Sequence, residues 1–158
     1  MGHESLSTIL IAFVLQDIPE SLVLTMVVFS LLNLRLQYKN ILMIALLQAL
    51  TNQVQLLNIA NGIHTIILII SLAIYIRLVT KSLMSKALLA VLISFVILTI
   101  VELSYAYPLL RITGLALKTV YDNPFLRSAF ALPYEIVLLL VALGKNYYNH
   151  KRGLLIEA

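Results

Sequence analysis

Five long apolar runs limit this chain to a small set of folds. They cover about residues 6–34, 41–60, 63–79, 87–105 and 126–146. A helix of about 20 apolar residues crosses the hydrocarbon core of a bilayer. Because lipid offers the backbone no hydrogen bonds, segments of this kind cross it as helices. We therefore predict an all-α fold, a polytopic membrane helical bundle of about five transmembrane helices, as a single domain over residues 1–158.

The composition excludes a soluble catalytic domain. Charged residues make up 11% of the chain, too few to cover the surface of a soluble protein, and 61% of the residues are hydrophobic. The lack of cysteine excludes disulfides and thiolate metal sites. Residues 1–7 contain no Lys or Arg, so the first run lacks the charged start of a secretory signal and is expected to be retained. The expected location is the cell (plasma) membrane, as a multi-pass protein.

Basic residues predict the orientation of the bundle. Eight of the 11 Lys and Arg residues fall on one side of the membrane if the runs alternate in direction. These eight are Arg35, Lys39, Arg77, Lys81, Lys86, Lys145, Lys151 and Arg152. The positive-inside rule then places the N-terminus outside and the C-terminus inside. A four-span arrangement, with residues 6–12 on the membrane surface, keeps these sides if the chain still crosses before Arg35.

The connection between the fourth and fifth runs is long and lies on the outer side. It covers about residues 106–125 and contains Pro108, Gly114 and Pro124. Because proline and glycine disfavour helix interiors, we predict a loop here rather than another crossing. Residues 115–121 are apolar enough to form a short helix that lies on the membrane surface or caps the bundle.

Acidic side chains interrupt the apolar runs. They are expensive there, so they are candidate functional residues. In the first run, Asp17 and Glu20 are three residues apart and share a helix face. Pro19 between them cannot donate to the carbonyl of Leu15, which predicts a kink. Two carboxylates this close in a low dielectric do not both ionise easily, which favours a proton, a cation or a ligand beside them.

Other polar residues are predicted to lie at the same depth. Gln48, Asn52 and Gln55 follow helical spacing and form a stripe on one face of the second helix. The inner half of the bundle is expected to be almost purely apolar, so the polar groups predict a pocket open to the outside. The candidate ligand-binding residues are Asp17, Glu20, Asn52, Gln55, His64, Glu102 and Glu135.

Each of these groups also has a purely structural interpretation. The acidic pair of the first run could lie in the wet interface without a ligand. The two later glutamates could pair with Arg111 or Arg127, and the amide stripe could hydrogen-bond between helices. His64 could be a polar turn residue, and no spacing such as H-x-x-x-H favours a metal site.

Motifs for catalysis are missing from the sequence. It has no H-E-x-x-H, no Gly-rich phosphate loop and no serine motif with a nearby base. We therefore expect no enzyme and no cofactor. Transport is the rival function, because a kinked helix with acids near the midplane is a common transporter element. Against transport, the five glycines lie outside the interiors of the apolar runs and no repeat is visible.

Two stretches of the sequence carry a resemblance to a known family. Residues 61–65 (NGIHT) enter an apolar run, and residues 123–127 (NPFLR) lead to residues 132–135 (LPYE). In this pattern and layout the chain resembles the multi-span membrane input domains of Gram-positive sensor histidine kinases. The resemblance implies recognition of an external ligand such as a peptide, dimerisation, and signal output through a separate cytoplasmic module.

We accordingly predict a membrane-embedded sensory or receptor module for signal transduction. It would bind an extracytoplasmic small or peptide ligand through an outer-leaflet pocket of acidic and amide groups. The expected partners are the lipid bilayer, that ligand, a cytoplasmic kinase or ATPase, and further copies in a homo-oligomer, but no nucleic acid. The alternative is a small proton- or cation-coupled transporter or channel subunit that works as an oligomer.

Overall fold

Helices account for all the regular secondary structure that is described. The computed structural model describes residues 6–54 and 62–157. The helices are α1 (Leu6–Ala12), α2 (Ile18–Leu31), α3 (Tyr38–Asn52), α4 (Ile63–Thr80), α5 (Met84–Thr113), α6 (Leu117–Asp122) and α7 (Pro124–Lys151), with a π-helical turn (Phe13–Asp17) joining α1 to α2. The all-α prediction is confirmed for these residues.

Four helical segments are long and apolar enough to cross a membrane. They are Thr8–Leu31, which includes the π-helical turn, Ile63–Thr80, Met84–Thr113 and Pro124–Lys151. The predicted span over residues 41–60 overlaps α3, but its last six residues, 55–60, lie outside the described part of the chain. Four candidate spans therefore stand among the described residues, and the count of five stays a prediction.

The π-helical turn takes the place of a simple proline kink. The amide of Ile18 donates to the carbonyl of Phe13, five residues earlier, where an α-helix would use a carbonyl four residues earlier. Pro19 has no amide hydrogen, and its ring crowds the carbonyl of Leu15. A π-helical turn places one extra residue in the helix just before this point, which accommodates the proline without breaking the segment.

The outer loop predicted for residues 106–125 is mostly helical. Helix α5 continues through Pro108 and ends only at Gly114, whose φ of 66° terminates the helix in the left-handed region. Helix α7 begins at Pro124, where proline is well suited to the first helical position. The Asn123 side chain caps it by accepting hydrogen bonds from the amides of Phe125 at 3.0 Å and Leu126 at 3.4 Å. Only α6, which overlaps the short helix predicted over residues 115–121, and its flanking residues separate the two long helices.

Helix α2 lies at the centre of the bundle. It packs against α3 and α7, while α4 packs against α3 and α5, and α5 packs in turn against α7. The side chains of Val27, Val28 and Phe29 on α2 are fully buried. By contrast, α4 and α5 expose rows of large apolar side chains, such as Ile66 and Ile100. A face of this kind suits contact with lipid tails.

A polar network joins α2 to α7 at the end of the bundle opposite Asp17. Ser30 Oγ donates to the carbonyl of Ala142 at 2.8 Å, and Asn149 Nδ2 donates to the carbonyl of Ser30 at 2.8 Å. Asn146 Nδ2 reaches the carbonyl of Leu34 at 3.2 Å. Ser30 and Asn149 are fully buried there, while the almost purely apolar inner half of the membrane stays a prediction. These groups hold the two helices together through backbone carbonyls.

The C-terminal residues pair with the turn after α2. The amide of Arg35 donates to the carbonyl of Ile156 at 3.0 Å, and the amide of Ile156 donates to the carbonyl of Asn33 at 2.8 Å. Arg35 and Glu157 add an ion pair at 3.5 Å, with both side chains largely exposed. This clasp fixes the end of α7 to the end of α2.

Candidate functional site

Asp17 is buried at the end of the π-helical turn, and side-chain amides satisfy its carboxylate. Only 2% of its surface is exposed. Asn52 Nδ2 donates to Oδ1 at 2.6 Å, and Gln53 Nε2 donates to Oδ2 at 2.7 Å. His64 Nε2 in turn lies 3.2 Å from Asn52 Oδ1. The structure thus brings Asp17 together with two of the other candidate residues, Asn52 and His64, and adds Gln53.

Sequence periodicity missed Gln53 because the helix does not continue. Helix α3 ends at Asn52, and the next two residues form a 3₁₀ turn, so the 100° spacing of an α-helix no longer applies there. The sequence signal that could have identified Gln53 was the polar run Thr51-Asn52-Gln53 at the end of an apolar helix. Gln48 belongs to a different contact, since it donates to the carbonyl of Leu68 at 3.1 Å. Gln55 lies outside the described residues.

Glu20 is held by an aromatic residue of α7. The Tyr134 hydroxyl donates to Glu20 Oε2 at 2.7 Å, and Tyr134 itself is 5% exposed. The side chain of Gln16, on the π-helical turn, lines the same cavity as this tyrosine. Interfacial anchoring, the common role of tyrosines near the ends of spans, does not explain a hydroxyl directed at a carboxylate inside the bundle. The only sequence signal for this role of Tyr134 was its position directly before Glu135 and directly after a proline.

Glu102 and Glu135 lie further from the helix ends than the sequence suggested. Each is eleven residues from the end of its helix next to α6, roughly 16 Å along the axis. Glu135 is 7% exposed, and its Oε1 atom has no hydrogen-bond partner among the described residues. Neither glutamate forms an ion pair with Arg111 or Arg127 in the described structure. Helices α5 and α7 therefore extend about three turns beyond these two glutamates.

Arg127 brings positive charge to this end of the bundle. It lies on the first turns of α7, close enough to Asp17 and Glu20 to interact electrostatically with both carboxylates. Glu20 also interacts electrostatically with Glu102 and with Asp17. The four acids of α2, α5, α7 and the π-helical turn therefore form one electrostatic cluster with Arg127.

A cavity of about 70 Å³ opens beside this cluster. Its lining consists of Gln16, Glu102, Tyr105, Ala106, Leu110, Leu117, Val120, Arg127, Phe130, Ala131 and Tyr134. Helix α6 covers it, and Val120 is 4% exposed as a result. The space is sufficient for a few water molecules or a small organic ligand. It connects carboxylate, amide, guanidinium and aromatic groups in one place.

Among the described residues, no group of three or more His, Asp or Glu side chains is placed to hold a metal ion. The chain matches no family model, no curated protein and no solved structure. The resemblance to sensor kinase input domains therefore stays a prediction, and the function must be argued from the site itself.

Proposed function

We propose that the chain is a membrane-embedded receptor module that binds a small cationic ligand in the cavity between α5, α6 and α7. The observation that carries this proposal is the cluster of four acids and one arginine beside one cavity. Glu102 and Arg127 line the cavity, and Asp17, Glu20 and Glu135 belong to the same electrostatic cluster, which therefore holds more negative than positive charge. These features support a binding module.

Some of the four carboxylates have hydrogen-bond partners and others do not, and this difference favours a cation from outside the chain. Asp17 has two amide donors and Arg127 nearby, and Glu20 has the Tyr134 hydroxyl. Glu102 and Glu135 have no hydrogen-bond or ion-pair partner among the described residues. A carboxylate in an apolar setting is costly unless it is paired, hydrogen-bonded or neutralised. A bound cation would supply that pairing.

The size of the cavity favours a small ligand over a peptide. A volume of about 70 Å³ holds a few heavy atoms, whereas a peptide needs an open groove of several hundred cubic ångströms. Of the two ligand classes predicted from the sequence, the small one fits this site better.

The proposed topology has five spans, with the N-terminus outside and the C-terminus inside. The additional span is the one predicted over residues 41–60, of which the structure describes α3. This orientation puts the cavity on the outer side and the turn between α4 and α5, with its exposed Arg77 and Lys81, on the inner side. Since the chain has no cysteine, Thr119→Cys on α6 and Ser85→Cys on α5 can each be labelled alone. A membrane-impermeant maleimide added to intact cells should label Thr119→Cys and spare Ser85→Cys, and the reverse pattern would refute the orientation.

Ligand binding and ion flux distinguish the receptor from the rival transporter. Purified protein in lipid nanodiscs should bind at least one of ammonium, methylammonium, guanidinium or tetramethylammonium, detected as a rise in thermal stability against a sodium chloride control. The double variant Glu102→Gln, Glu135→Gln should lose the effect, while Glu157→Gln, an exposed carboxylate at the opposite end, should keep it. Proteoliposomes that conduct protons or these cations, with flux lost in Asp17→Asn, would replace the receptor by a transporter.

We also propose that the module signals as a homo-oligomer through a cytoplasmic kinase partner. The support is indirect: α2 connects the cluster at one end to the polar network and clasp at the other, so a shift of α2 against α7 would move the C-terminal residues. An ATPase partner would instead favour transport.

A further inference from the structure

We infer that the ligand is a short primary alkylammonium ion, bound with its nitrogen between Gln16 and Glu102. The inference rests on the proposed function, because it names the class of cation that the same cavity accepts. It depends on which groups around the cavity still lack a hydrogen-bond donor, and on what the remaining lining offers to the rest of the ligand.

Two acceptors in the cavity lack donors in the described structure. Gln16 lines the cavity, and its Oε1 atom is buried without a hydrogen-bond partner. The Glu102 carboxylate also makes no hydrogen bond or ion pair with the described residues. An alkylammonium group carries three N–H donors and one positive charge, so it can bond to both acceptors and compensate the carboxylate at once.

The two tyrosines of the cavity also favour a ligand that donates hydrogen bonds. The Tyr105 hydroxyl donates to the carbonyl of Phe130, and the Tyr134 hydroxyl donates to Glu20. Because both hydroxyl protons already take part in these hydrogen bonds, the two oxygens can only accept a hydrogen bond from a ligand. Neither hydroxyl would therefore stabilise an anion. The rings of Tyr105, Phe130 and Tyr134 all line the cavity, and aromatic faces attract cations.

The rest of the lining fits a short hydrocarbon tail. Leu110, Leu117 and Val120 form an apolar wall on the side of α5 and α6. Burying two or three methylene groups against such a wall is favourable, and the small volume sets an upper limit on the length. A quaternary ammonium ion could contact the aromatic rings, but it has no N–H group to donate to Gln16 or Glu102. A neutral alcohol of the same length would lack the charge.

Competition among matched small probes tests the assignment. Isothermal titration of the full chain in nanodiscs would compare propylammonium with tetramethylammonium, guanidinium, 1-propanol and propionate. We expect propylammonium to bind at least tenfold more tightly than any other member of the set. Glu102→Gln and Gln16→Met should each weaken propylammonium binding at least tenfold, and Glu157→Gln should leave it unchanged.

A second variant guards against loss of the fold. Ala106→Leu adds bulk to the cavity without removing any polar group, so it should abolish binding of propylammonium while the thermal midpoint of the free protein stays within a few degrees. If Glu102→Gln does not fold, Ala106→Leu alone decides, and unchanged binding in Ala106→Leu overturns the inference.

The outcomes separate the inference from the proposed function. If tetramethylammonium or guanidinium binds as tightly as propylammonium, the ligand class is wrong while the cationic receptor stands. Failure of every cation to bind would remove both the ligand class and the proposed function.

Discussion

The Tyr134 hydroxyl on α7 donates to Oε2 of Glu20 on α2 at 2.7 Å, between residues that lie 114 positions apart in the sequence. The two helices carrying them also share the Ser30–Asn149 contact at the opposite end of the bundle. The α2–α7 pair is therefore fastened at both ends by hydrogen bonds, with apolar packing between. Of the two fastenings, the one at Glu20 borders the proposed ligand cavity.

Tyr134→Phe should destabilise the protein by about 1–2 kcal/mol, because it removes the donor to a carboxylate inside the bundle. The measurement is the unfolding free energy in mixed micelles titrated with denaturing detergent. Tyr107→Phe is the matched control, since Tyr107 is 73% exposed and should change the free energy little. A double-mutant cycle with Glu20→Gln should give a coupling energy of similar size, and a coupling near zero would show that the hydrogen bond contributes nothing.

Exchanging Asp17 and Asn52 should restore most of what either substitution loses. Asn52→Asp alone would place a second carboxylate where the amide now lies 2.6 Å from Asp17, so we expect a loss of about 3 kcal/mol. The double variant Asp17→Asn, Asn52→Asp again pairs one amide with one carboxylate and should recover at least half of that loss. Unfolding free energies of the wild type, both single variants and the exchange decide the matter, and an exchange no better than Asn52→Asp would argue against the contact.

Residue type indicated part of the site, whereas the contacts across the fold did not follow from it. Asp17 and Asn52 stood out because polar groups in apolar helices are rare and must find partners. Their pairing joins two segments 35 residues apart, which helical periodicity within one segment does not address. Tyr134 was not among the predicted site residues for the same reason, because nothing local in the sequence connects it to Glu20.

The helix ends were harder to predict than the helices. Proline and glycine favour a loop over residues 106–125, yet α5 continues through Pro108, since one lost backbone hydrogen bond is a small part of a 30-residue helix. This changed the depth of Glu102 and Glu135 within the bundle. The helical membrane character could be predicted from the sequence, because this character depends on the length and composition of the apolar runs. It does not depend on the residue at which each helix ends.

Asn149→Ala should destabilise the bundle without affecting ligand binding. Asn149 is fully buried and donates to the carbonyl of Ser30, so its loss costs a hydrogen bond and leaves a small void, together about 1–3 kcal/mol. The affinity for an alkylammonium ion should stay unchanged, because Asn149 lies at the end of α7 that is far from α6. A large loss of affinity in a folded variant would show that the two ends are coupled.

Arg35→Ala should have a much smaller effect than Asn149→Ala, although both residues contribute to the same end of the bundle. The ion pair with Glu157 spans 3.5 Å, and the side chains are 68% and 81% exposed. Exposed pairs contribute less than about 1 kcal/mol, and the backbone hydrogen bonds of the clasp do not depend on the side chain. High salt should reduce even this contribution, and a loss above about 2 kcal/mol would assign the clasp to the ion pair.

Pro19→Ala tests whether the π-helical turn is needed to position the site. Alanine restores the amide hydrogen that can bond to the carbonyl of Leu15, which removes the reason for the extra residue before position 19. If the turn converts to a regular α-helix, the residues before it rotate by about 100° relative to α2, and Gln16 leaves the cavity. We expect stability to stay equal or rise while affinity for propylammonium falls at least tenfold. Ile18→Ala, which keeps the proline, is the control and should retain binding, whereas full affinity in Pro19→Ala would show that the proline does not set the position of Gln16.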